Sequence, residues 1–353
     1  WVYYLRVVGM LFLRPWKGEA GGKGAPLPML IAVGVLAAAI IFGGFVPSFQ
    51  LNLVGAVGAE VAARSGLAAA ALPSLVMTWT LPATIAFLGA VAVWLVGRKS
   101  VQQAGWLAVA VLVVAFLAVI FTAPAYDTLS FWFAVLIAGV GALNMLHATA
   151  YLAHNHAQPR FFAAFGIMIA GLLGMTAAKD IFTFFGFWEL MSSWALWAAI
   201  IHEENDEARR EGFKYFFFNT VGASFMFLGV AALAAHAGTF DLVEIGQKAL
   251  DMPLATLAIG IIPVFIGLVM KAAMLPVRID VQMHPALAPT PVSGYISAVL
   301  LKSGPWGVLK LFSLFGGSAV FLRLGGEIGG IPALMDIIAI IAGITVVYAG
   351  AMA

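Results

Sequence analysis

The sequence contains no cysteine and very little charge for its length. The absence of cysteine excludes disulfide bonds, thiolate metal sites, cysteine-bound iron–sulfur clusters and cysteine nucleophiles. Charged residues make up 10% of the 353 residues and hydrophobic residues make up 63%, whereas soluble domains carry about 25% and about 45–50%. This composition excludes a water-soluble enzyme and indicates an integral membrane protein.

Other classes of protein are excluded by what else is missing. The formal net charge of +2 is too small to indicate a nucleic-acid partner, and no basic run with interleaved aromatics is present. The alternating segments of about ten residues that form outer-membrane barrels are nowhere sustained, so the apolar runs predict an all-α, polytopic transmembrane helix bundle. No phosphate loop, nucleotide fingerprint or nucleophile triad is found. We therefore predict no catalytic residue, metal site or cofactor in this chain, and any redox centre would belong to another chain.

The apolar runs predict about ten membrane spans and a partial one. About twenty apolar residues cross the hydrocarbon core of a bilayer, and windows of that length fall roughly at residues 28–48, 76–96, 107–124, 131–152, 161–178, 181–201, 213–235, 254–276, 291–315 and 331–353. Residues 1–14 resemble the end of the further, partial span. Because the chain begins with Trp1 and ends inside an apolar run at Ala353, we interpret it as an internal piece of a longer polypeptide.

The distribution of Lys and Arg between alternate loops predicts the orientation of these spans. One side carries most of them, namely Arg6, Arg14, Lys17, Lys23, Arg98, Lys99, Arg160, Arg209, Arg210, Lys214 and Arg278. The other side carries only Arg64, Lys179, Lys248 and Arg323. Because cytoplasmic loops are enriched in Lys and Arg, the richer side is predicted to face the cytoplasm.

Three ionisable residues stand out among those inside the predicted spans, where a charge is costly. Glu189 lies about 12 Å into its span, Lys302 lies near the middle of its own, and Lys271 lies in the span 254–276. A charged group in hydrocarbon costs at least about 2.5–3.5 kcal/mol, so each one is a functional hypothesis by default. Two interpretations are open: the charges pair to fix the helices, or they form a proton relay through the membrane.

Prolines near these charges predict breaks in the helices that carry them. Pro263 and Pro276 flank Lys271, and Pro305 closely follows Lys302. Proline removes a backbone donor and frees carbonyls that can hold water or an ion, although an ordinary packing kink would have the same sequence. The predicted secondary members of the relay are Lys214, His284 and Ser303.

Two further polar residues near the predicted relay have simpler interpretations. Asn219, inside an apolar run, could carry water between these charges, but an interhelical hydrogen bonder is the simpler interpretation. Asp180, between two closely spaced spans, is predicted to cap the second span, because a carboxylate accepts hydrogen bonds from the first N–H groups of a helix. The alternative is that Lys179 and Asp180 form an exit-side charge pair leading to Glu189.

Three motifs, in this order along the chain, resemble the antiporter-like proton-translocating subunits shared by respiratory complex I, membrane-bound hydrogenases and the multisubunit sodium/proton (Mrp-type) antiporters. FWELMS resembles the family's helix 5, whose key Glu corresponds to Glu189. KAAMLP resembles the broken helix 7, whose central Lys corresponds to Lys271. APTPVS followed by LLKSGPWG resembles helix 8, whose Lys corresponds to Lys302. The resemblance implies discontinuous helices and proton, or cation and proton, translocation through a Glu, Lys and Lys relay.

The resemblance begins near residue 76 and runs to residue 353. It implies that residues 76–353 form the first nine or so helices of one antiporter-like module, without its C-terminal half. Residues 1–50 resemble the last helices of a preceding module, and residues 51–75 are interpreted as an interfacial connection. The alternative to a proton-translocating subunit is a non-conducting structural scaffold subunit of the same kind of complex.

The resemblance also implies the surroundings of the chain. The implied partners are other antiporter-like membrane subunits, hydrophilic redox or antiporter subunits, and the lipid bilayer. The implied location is the cell inner (cytoplasmic) membrane or an equivalent energy-transducing membrane. Two questions remain open: whether the transported ion is a proton or sodium, and whether transport is driven by a redox reaction or is antiport. No enzyme activity is therefore assigned to the chain itself.

Overall fold

The computed structural model describes residues 77–192, 194–276, 288–315, 318–328 and 331–352. Its helices are α1 (Leu81–Gly97), α2 (Val101–Phe121), α3 (Thr128–Tyr151), α4 (Gln158–Thr176), α5 (Ile181–Ser192), α6 (Trp194–Ile200), α7 (Asp206–Ala237), α8 (Leu242–Ala249), α9 (Leu254–Lys271), α10 (Thr290–Ala298), α11 (Ser303–Leu314), α12 (Ser318–Gly325) and α13 (Ala333–Met352). Short 3-10 turns lie at Ala123–Ala125 and Leu300–Lys302, and β1 (Glu327–Ile328) pairs antiparallel with β2 (Ile331–Pro332). The predicted segments 1–50 and 51–75, with their spans, and His284 lie outside the described residues.

The described chain is helical apart from its loops and the short pair of strands, which confirms the all-α membrane fold. Six helices are long and apolar enough to cross a membrane, and a seventh is added if Thr290–Leu314 and Ala319–Gly325 form one bent span. The six are α2, α3, α4, α7, α9 and α13. In the predicted span 181–201, α5 and α6 lie on either side of residue 193, which is outside the described residues, and α1 has only 17 residues. The count of about ten spans is therefore not confirmed within the described residues.

α4 lies among the other helices and is buried on nearly all sides. Its sequence is apolar all round, which is typical of a helix enclosed by others, and every residue from Phe161 to Thr176 except Ile167 is buried. At Gly171 the next helix approaches so closely that an added Cβ would lie 2.5 Å from the backbone nitrogen of Met191. This contact fixes the position of α5, the helix that carries Glu189.

One end of the bundle, which we call the arginine end, carries six of the twelve Lys and Arg residues of the described chain, in its loops and in the first turns of α4 and α7. There the loop before α4 meets the loop before α7. Asn155 Nδ2 donates to Glu203 Oε1 at 3.1 Å, and Arg160 forms an ion pair with Glu204. The sequence predicts that this end faces the cytoplasm.

The loops at the other end, which we call the opposite end, are joined by backbone hydrogen bonds. Ile181 N donates to Phe240 O at 2.8 Å, and Leu242 N donates to Lys179 O at 3.0 Å. These bonds join the loop before α5 to the loop before α8, as alternating spans require. Asp180 Oδ1 accepts from Thr183 N at 2.6 Å, which confirms the predicted helix cap.

Both Lys-bearing helices are interrupted next to their lysine. α9 ends at Lys271, and Ala273 in the turn that follows has a φ of 57°. Pro263 lies inside α9, which remains helical on both sides of it, whereas Pro276 follows the turn. Pro305 is in the first turn of α11, where the N–H groups have no intrahelical partner and a proline is tolerated.

Candidate functional site

Lys271 is the best-enclosed charge in the described structure and lies at the last residue of α9. Only 2% of its surface is exposed. Its Nζ donates to Asn219 Oδ1 at 2.9 Å and lies 5.5 Å from the ring centroid of Tyr215. Asn219 Nδ2 in turn donates to Tyr215 O at 2.8 Å, so the amide presents its oxygen to the lysine. The ammonium is therefore held by a neutral acceptor and an aromatic face, both on α7.

Glycines bring α7 and α9 close enough for this hydrogen bond. A Cβ added at Gly267 would lie 2.7 Å from Gly222 O, so the two backbones are in contact at that point. Gly267 precedes Lys271 by one helical turn, and Gly222 follows Asn219 by about one turn. Small residues at a helix contact allow this close approach in membrane proteins. The contact places the lysine and the amide within hydrogen-bond distance.

Glu189 supplies a negative charge to the same region. It is partly buried on α5, about 13 Å along the helix from the capped end at Asp180. Its carboxylate interacts electrostatically with Lys271. The structure thus brings together two of the three residues that the sequence assigns to a relay.

Lys302 occupies a different position from the other two. It is the last residue of the 3-10 turn between α10 and α11, and its side chain is exposed on the surface of the described chain. Its Nζ donates to Ser297 O, within its own segment, at 2.5 Å. Ser303 is buried, and its Oγ donates to Leu300 O at 2.6 Å, which satisfies a carbonyl at this helix break.

The two helix breaks nevertheless touch each other through the backbone at Gly304. A Cβ added there would lie 2.6 Å from Leu268 O and 2.9 Å from Ala272 N, which flank Lys271. The first turn of α11 therefore packs directly on the end of α9. The segments that carry Lys271 and Lys302 are neighbours, although the Lys302 side chain bonds within its own segment.

Lys214, a predicted secondary member, is in a local ion pair. Its Nζ lies 2.7 Å from Glu211 Oε1 on the first turns of α7, near the arginine end. Both side chains are partly exposed. Among the described residues, no group of three or more His, Asp or Glu side chains is arranged to hold a metal ion.

A polar cluster around the buried residue His202 lies in the loops at the arginine end and includes Arg160 from the first turn of α4. The ring of His202 is buried and stacks on the ring of His156 with 5.0 Å between centroids. Burial lowers the pKa of His202 to about 4, and nearby His156 and Arg160 act in the same direction. Partial burial acts to raise the pKa of Glu204, but the hydrogen bond and charge of Arg160 lower it below its ordinary value. His202 is therefore neutral at pH 7.

Sequence reasoning missed the exact role of two residues on α7. It placed Asn219 among polar residues that could carry water or form interhelical hydrogen bonds, without pairing it with Lys271, and it did not single out Tyr215. The spacing of Tyr215, Asn219 and Gly222 puts them on one face of a helix, which is the signal that could have identified them. Sequence reasoning also missed an ion pair between Asp127 and Lys310, because those two residues are 183 positions apart.

Two protein-family models match parts of this chain. Residues 178–353 match "NADH:quinone oxidoreductase/Mrp antiporter, TM", the transmembrane family. Residues 122–162 match the N-terminus of chain 5 of NADH-ubiquinone oxidoreductase (complex I). The matched ranges include Glu189, Lys271 and Lys302.

Individual proteins are similar at lower coverage. The chloroplast NAD(P)H-quinone oxidoreductase subunit 5 of Zygnema circumcarinatum is 25% identical over 234 residues, which are 64% of this chain and 31% of that protein. A probable K⁺/H⁺ antiporter subunit of Rhizobium meliloti is 26% identical over 207 residues, which are 58% of this chain and 20% of that protein. The chain thus spans about a third or less of the length of these relatives.

A solved structure supports the fold. A chain of an archaeal respiratory membrane complex, the membrane-bound sulfane sulfur reductase, superposes with a TM-score of 0.65 at 21% identity. The superposition covers 76% of this chain and 58% of that chain. At this level of identity the likeness concerns the fold alone.

Proposed function

Since the chain belongs to the family of antiporter-like membrane subunits of NADH:quinone oxidoreductases and Mrp-type antiporters, we propose that it translocates protons as one membrane subunit of such an assembly. The observation that carries this proposal is the environment of Lys271. A buried lysine next to a helix break has both a neutral partner, Asn219, and an anionic one, Glu189. Such a lysine can be held in either protonation state.

The chemistry of the proposal is a competition between burial and pairing. Burial disfavours the charged form of a lysine, and a nearby carboxylate favours it. When Glu189 moves towards Lys271, the lysine takes up a proton; when Glu189 moves away, the lysine releases it. A change of about 1.4 kcal/mol in this interaction changes the occupancy of the proton tenfold.

Lys302 is the proposed acceptor of the proton that Lys271 releases. The packing of Gly304 on the end of α9 supports this step, because it makes the two Lys-bearing breaks adjacent. Polar backbone at such breaks can hold the water that a transfer between the side chains requires. Lys214, Ser303 and His284 remain proposed secondary members.

The wider setting of the chain is also part of the proposal. We retain residues 76–353 as the start of one antiporter-like module, with residues 1–50 as the end of another and 51–75 as their connection. The proposed partners are further antiporter-like membrane subunits and hydrophilic redox or antiporter subunits, in an energy-transducing membrane. The relatives named for quinone oxidoreduction and for K⁺/H⁺ antiport support this class of assembly.

The test is to substitute Glu189→Gln and Lys271→Ala separately in the intact complex. Proton translocation into sealed vesicles is measured together with the yield of assembled complex. We expect translocation to be lost in both variants while the yield is retained. A non-conducting scaffold predicts that both variants transport like the unsubstituted complex. Lys248→Ala, at the opposite end, is the control for loss of a lysine as such.

A further inference from the structure

The turn between α1 and α2, residues 98–100, carries two neighbouring cations at the arginine end. Arg98 and Lys99 are both exposed on the described chain. Within the described residues, neither side chain forms an ion pair or a hydrogen bond. We call these two residues the cationic turn. Both of its charges are available to an anion from outside the chain.

The cationic turn is short and is held in place by the helices on both sides of it. Lys99 N and Ser100 N both donate to Val96 O, at 2.9 and 3.0 Å. A Cβ added at Gly97 would lie 2.2 Å from the Cβ of Pro159, so the end of α1 packs directly on the first turn of α4. Groups that are already fixed lose little conformational entropy when they bind a ligand.

The Arg98 guanidinium is held over an aromatic ring. Its Cζ lies 3.9 Å from the centroid of the Trp94 ring, one turn earlier on α1. A ring face attracts a guanidinium without accepting its N–H groups as a carboxylate does. Those N–H groups therefore stay available, in the fork that matches two oxygens of a phosphate.

The cationic turn lies at the level of the lipid headgroups. α2 has 21 residues, and at 1.5 Å per residue its length of about 30 Å matches the hydrocarbon core of a bilayer. Its ends therefore lie at the two surfaces of that core. Trp94 and Trp106 are 44% and 58% exposed, each within about two helical turns of the cationic turn. Exposed tryptophans at this depth are typical of the membrane interface.

No acidic residue of the surrounding sequence offsets the cationic turn. Between residues 77 and 160 the only Asp or Glu is Asp127, which caps α3 beyond the far end of α2. The segment 203–214, also at the arginine end, is different, because its five acidic residues outnumber its three basic ones. An anionic membrane surface is therefore attracted to the cationic turn rather than to the start of α7.

We infer that the cationic turn binds the headgroup phosphate of an anionic phospholipid. Arg98 donates its N–H groups to the phosphate oxygens, and Lys99 adds the second positive charge. Val91 and Leu95 are exposed on the same side of α1 as Arg98, so an acyl chain can lie along them. A zwitterionic lipid is disfavoured, because its own cation lies close to its phosphate and is repelled. Binding of a lipid here does not depend on whether the chain translocates protons.

The experiment is photolabelling of the intact complex in vesicles of equal parts phosphatidylglycerol and phosphatidylcholine. Each lipid in turn carries the same photoactivatable acyl chain, and labelled peptides of α1 and α2 are quantified by mass spectrometry. We expect phosphatidylglycerol to label these helices more strongly than phosphatidylcholine does. Each Lys or Arg near an anionic surface favours binding about fivefold, so Arg98→Gln combined with Lys99→Gln should lower this preference about 25-fold. An unchanged preference would overturn the inference.

Two further variants keep the result interpretable. Arg209→Gln combined with Arg210→Gln is the matched control, because it removes the same charge at the same end from the acidic start of α7. It should keep the preference, and an equal fall would overturn the inference, since only the net charge of that end would then matter. If the double variant of the cationic turn does not assemble, Lys99→Gln alone should lower the preference about fivefold. An unchanged preference in that variant overturns the inference as well.

The same preparation distinguishes two other ligands of the cationic turn. A site for free phosphate predicts that excess inorganic phosphate abolishes the preference, whereas sodium chloride at the same ionic strength does not. A site for an acidic partner subunit predicts no lipid preference in the unsubstituted complex and loss of that subunit from the double variant. Either result would overturn the inference, and a preference that withstands inorganic phosphate as well as it withstands sodium chloride would support it.

Discussion

Replacing Asn219 by leucine removes the neutral partner of Lys271, together with the hydrogen bond that Asn219 Nδ2 donates to Tyr215 O. Leucine has nearly the branched shape of asparagine and remains compatible with the interior of α7. The lost interaction is a buried hydrogen bond of 2.9 Å to a charged donor, for which a net contribution of about 1.5–3 kcal/mol is typical. At about 1.4 kcal/mol for each tenfold change, the protonated lysine becomes about 10 to 150 times less favoured relative to the neutral one.

The expected consequence is slower proton translocation at a normal yield of complex. Glu189 remains as the partner that favours the charged lysine, so loading is weakened but not abolished. Because a higher proton concentration compensates for weaker loading, the rate maximum should move about one to two pH units lower. The assay is the initial rate of proton translocation in sealed vesicles between about pH 5 and 9, a range that covers such a shift, normalised to the amount of complex.

Thr220→Val provides the matched control. Thr220 is adjacent on α7, and its Oγ1 donates only to Phe216 O in the same helix, at 2.9 Å. Valine removes that hydroxyl with almost no change of shape, so its rate and pH profile should be those of the unsubstituted complex. An Asn219→Leu complex with an unchanged rate and pH maximum would refute the role given to Asn219.

Three other predictions concern stability and helix ends. His202 has a pKa of about 4 in the folded chain and about 6.5 in the unfolded chain. As the pH falls between these values only the unfolded state gains a proton, so the free energy of unfolding should fall by about 3 kcal/mol by pH 4. Thermal unfolding measures this loss, and the His202→Phe variant should not show it. Asp180→Asn keeps the acceptor for Thr183 N and should leave both Tm and translocation unchanged, whereas slower translocation at normal yield would favour an exit role for Asp180. Gly267→Ala puts a Cβ 2.7 Å from Gly222 O, so Tm should fall by an amount equivalent to about 1–3 kcal/mol, and an unaltered Tm would contradict the close contact of α7 and α9.

The parts of the structure that the sequence predicts well are those governed by local rules. Apolar length and composition predict the membrane helices, and the cap at Asp180 follows from a carboxylate placed just before a helix. The proximity of Glu189 and Lys271 follows from the high cost of an isolated charge in hydrocarbon. Each of these inferences needs only a residue type and its place in a span.

The parts that the sequence does not predict depend on how helices pack. The exposure of Lys302 depends on neighbouring segments rather than on local composition. The pairing of Lys271 with Asn219 requires the relative rotation of α7 and α9, which is set by the glycine contact between them. The pair of Asp127 and Lys310 joins residues 183 positions apart, and one sequence carries no signal for that distance.

The central claim is that Lys271 gains and releases the translocated proton, and Lys271→Arg tests it most directly. Arginine keeps the positive charge opposite Glu189 and a donor for Asn219, but it does not release a proton at physiological pH. The measurement is proton translocation by the assembled complex in sealed vesicles, with complex yield determined on the same preparation. The account predicts that the variant assembles and translocates no protons. Translocation at the rate of the unsubstituted complex would contradict the account, because a fixed charge would then serve as well as a titrating one.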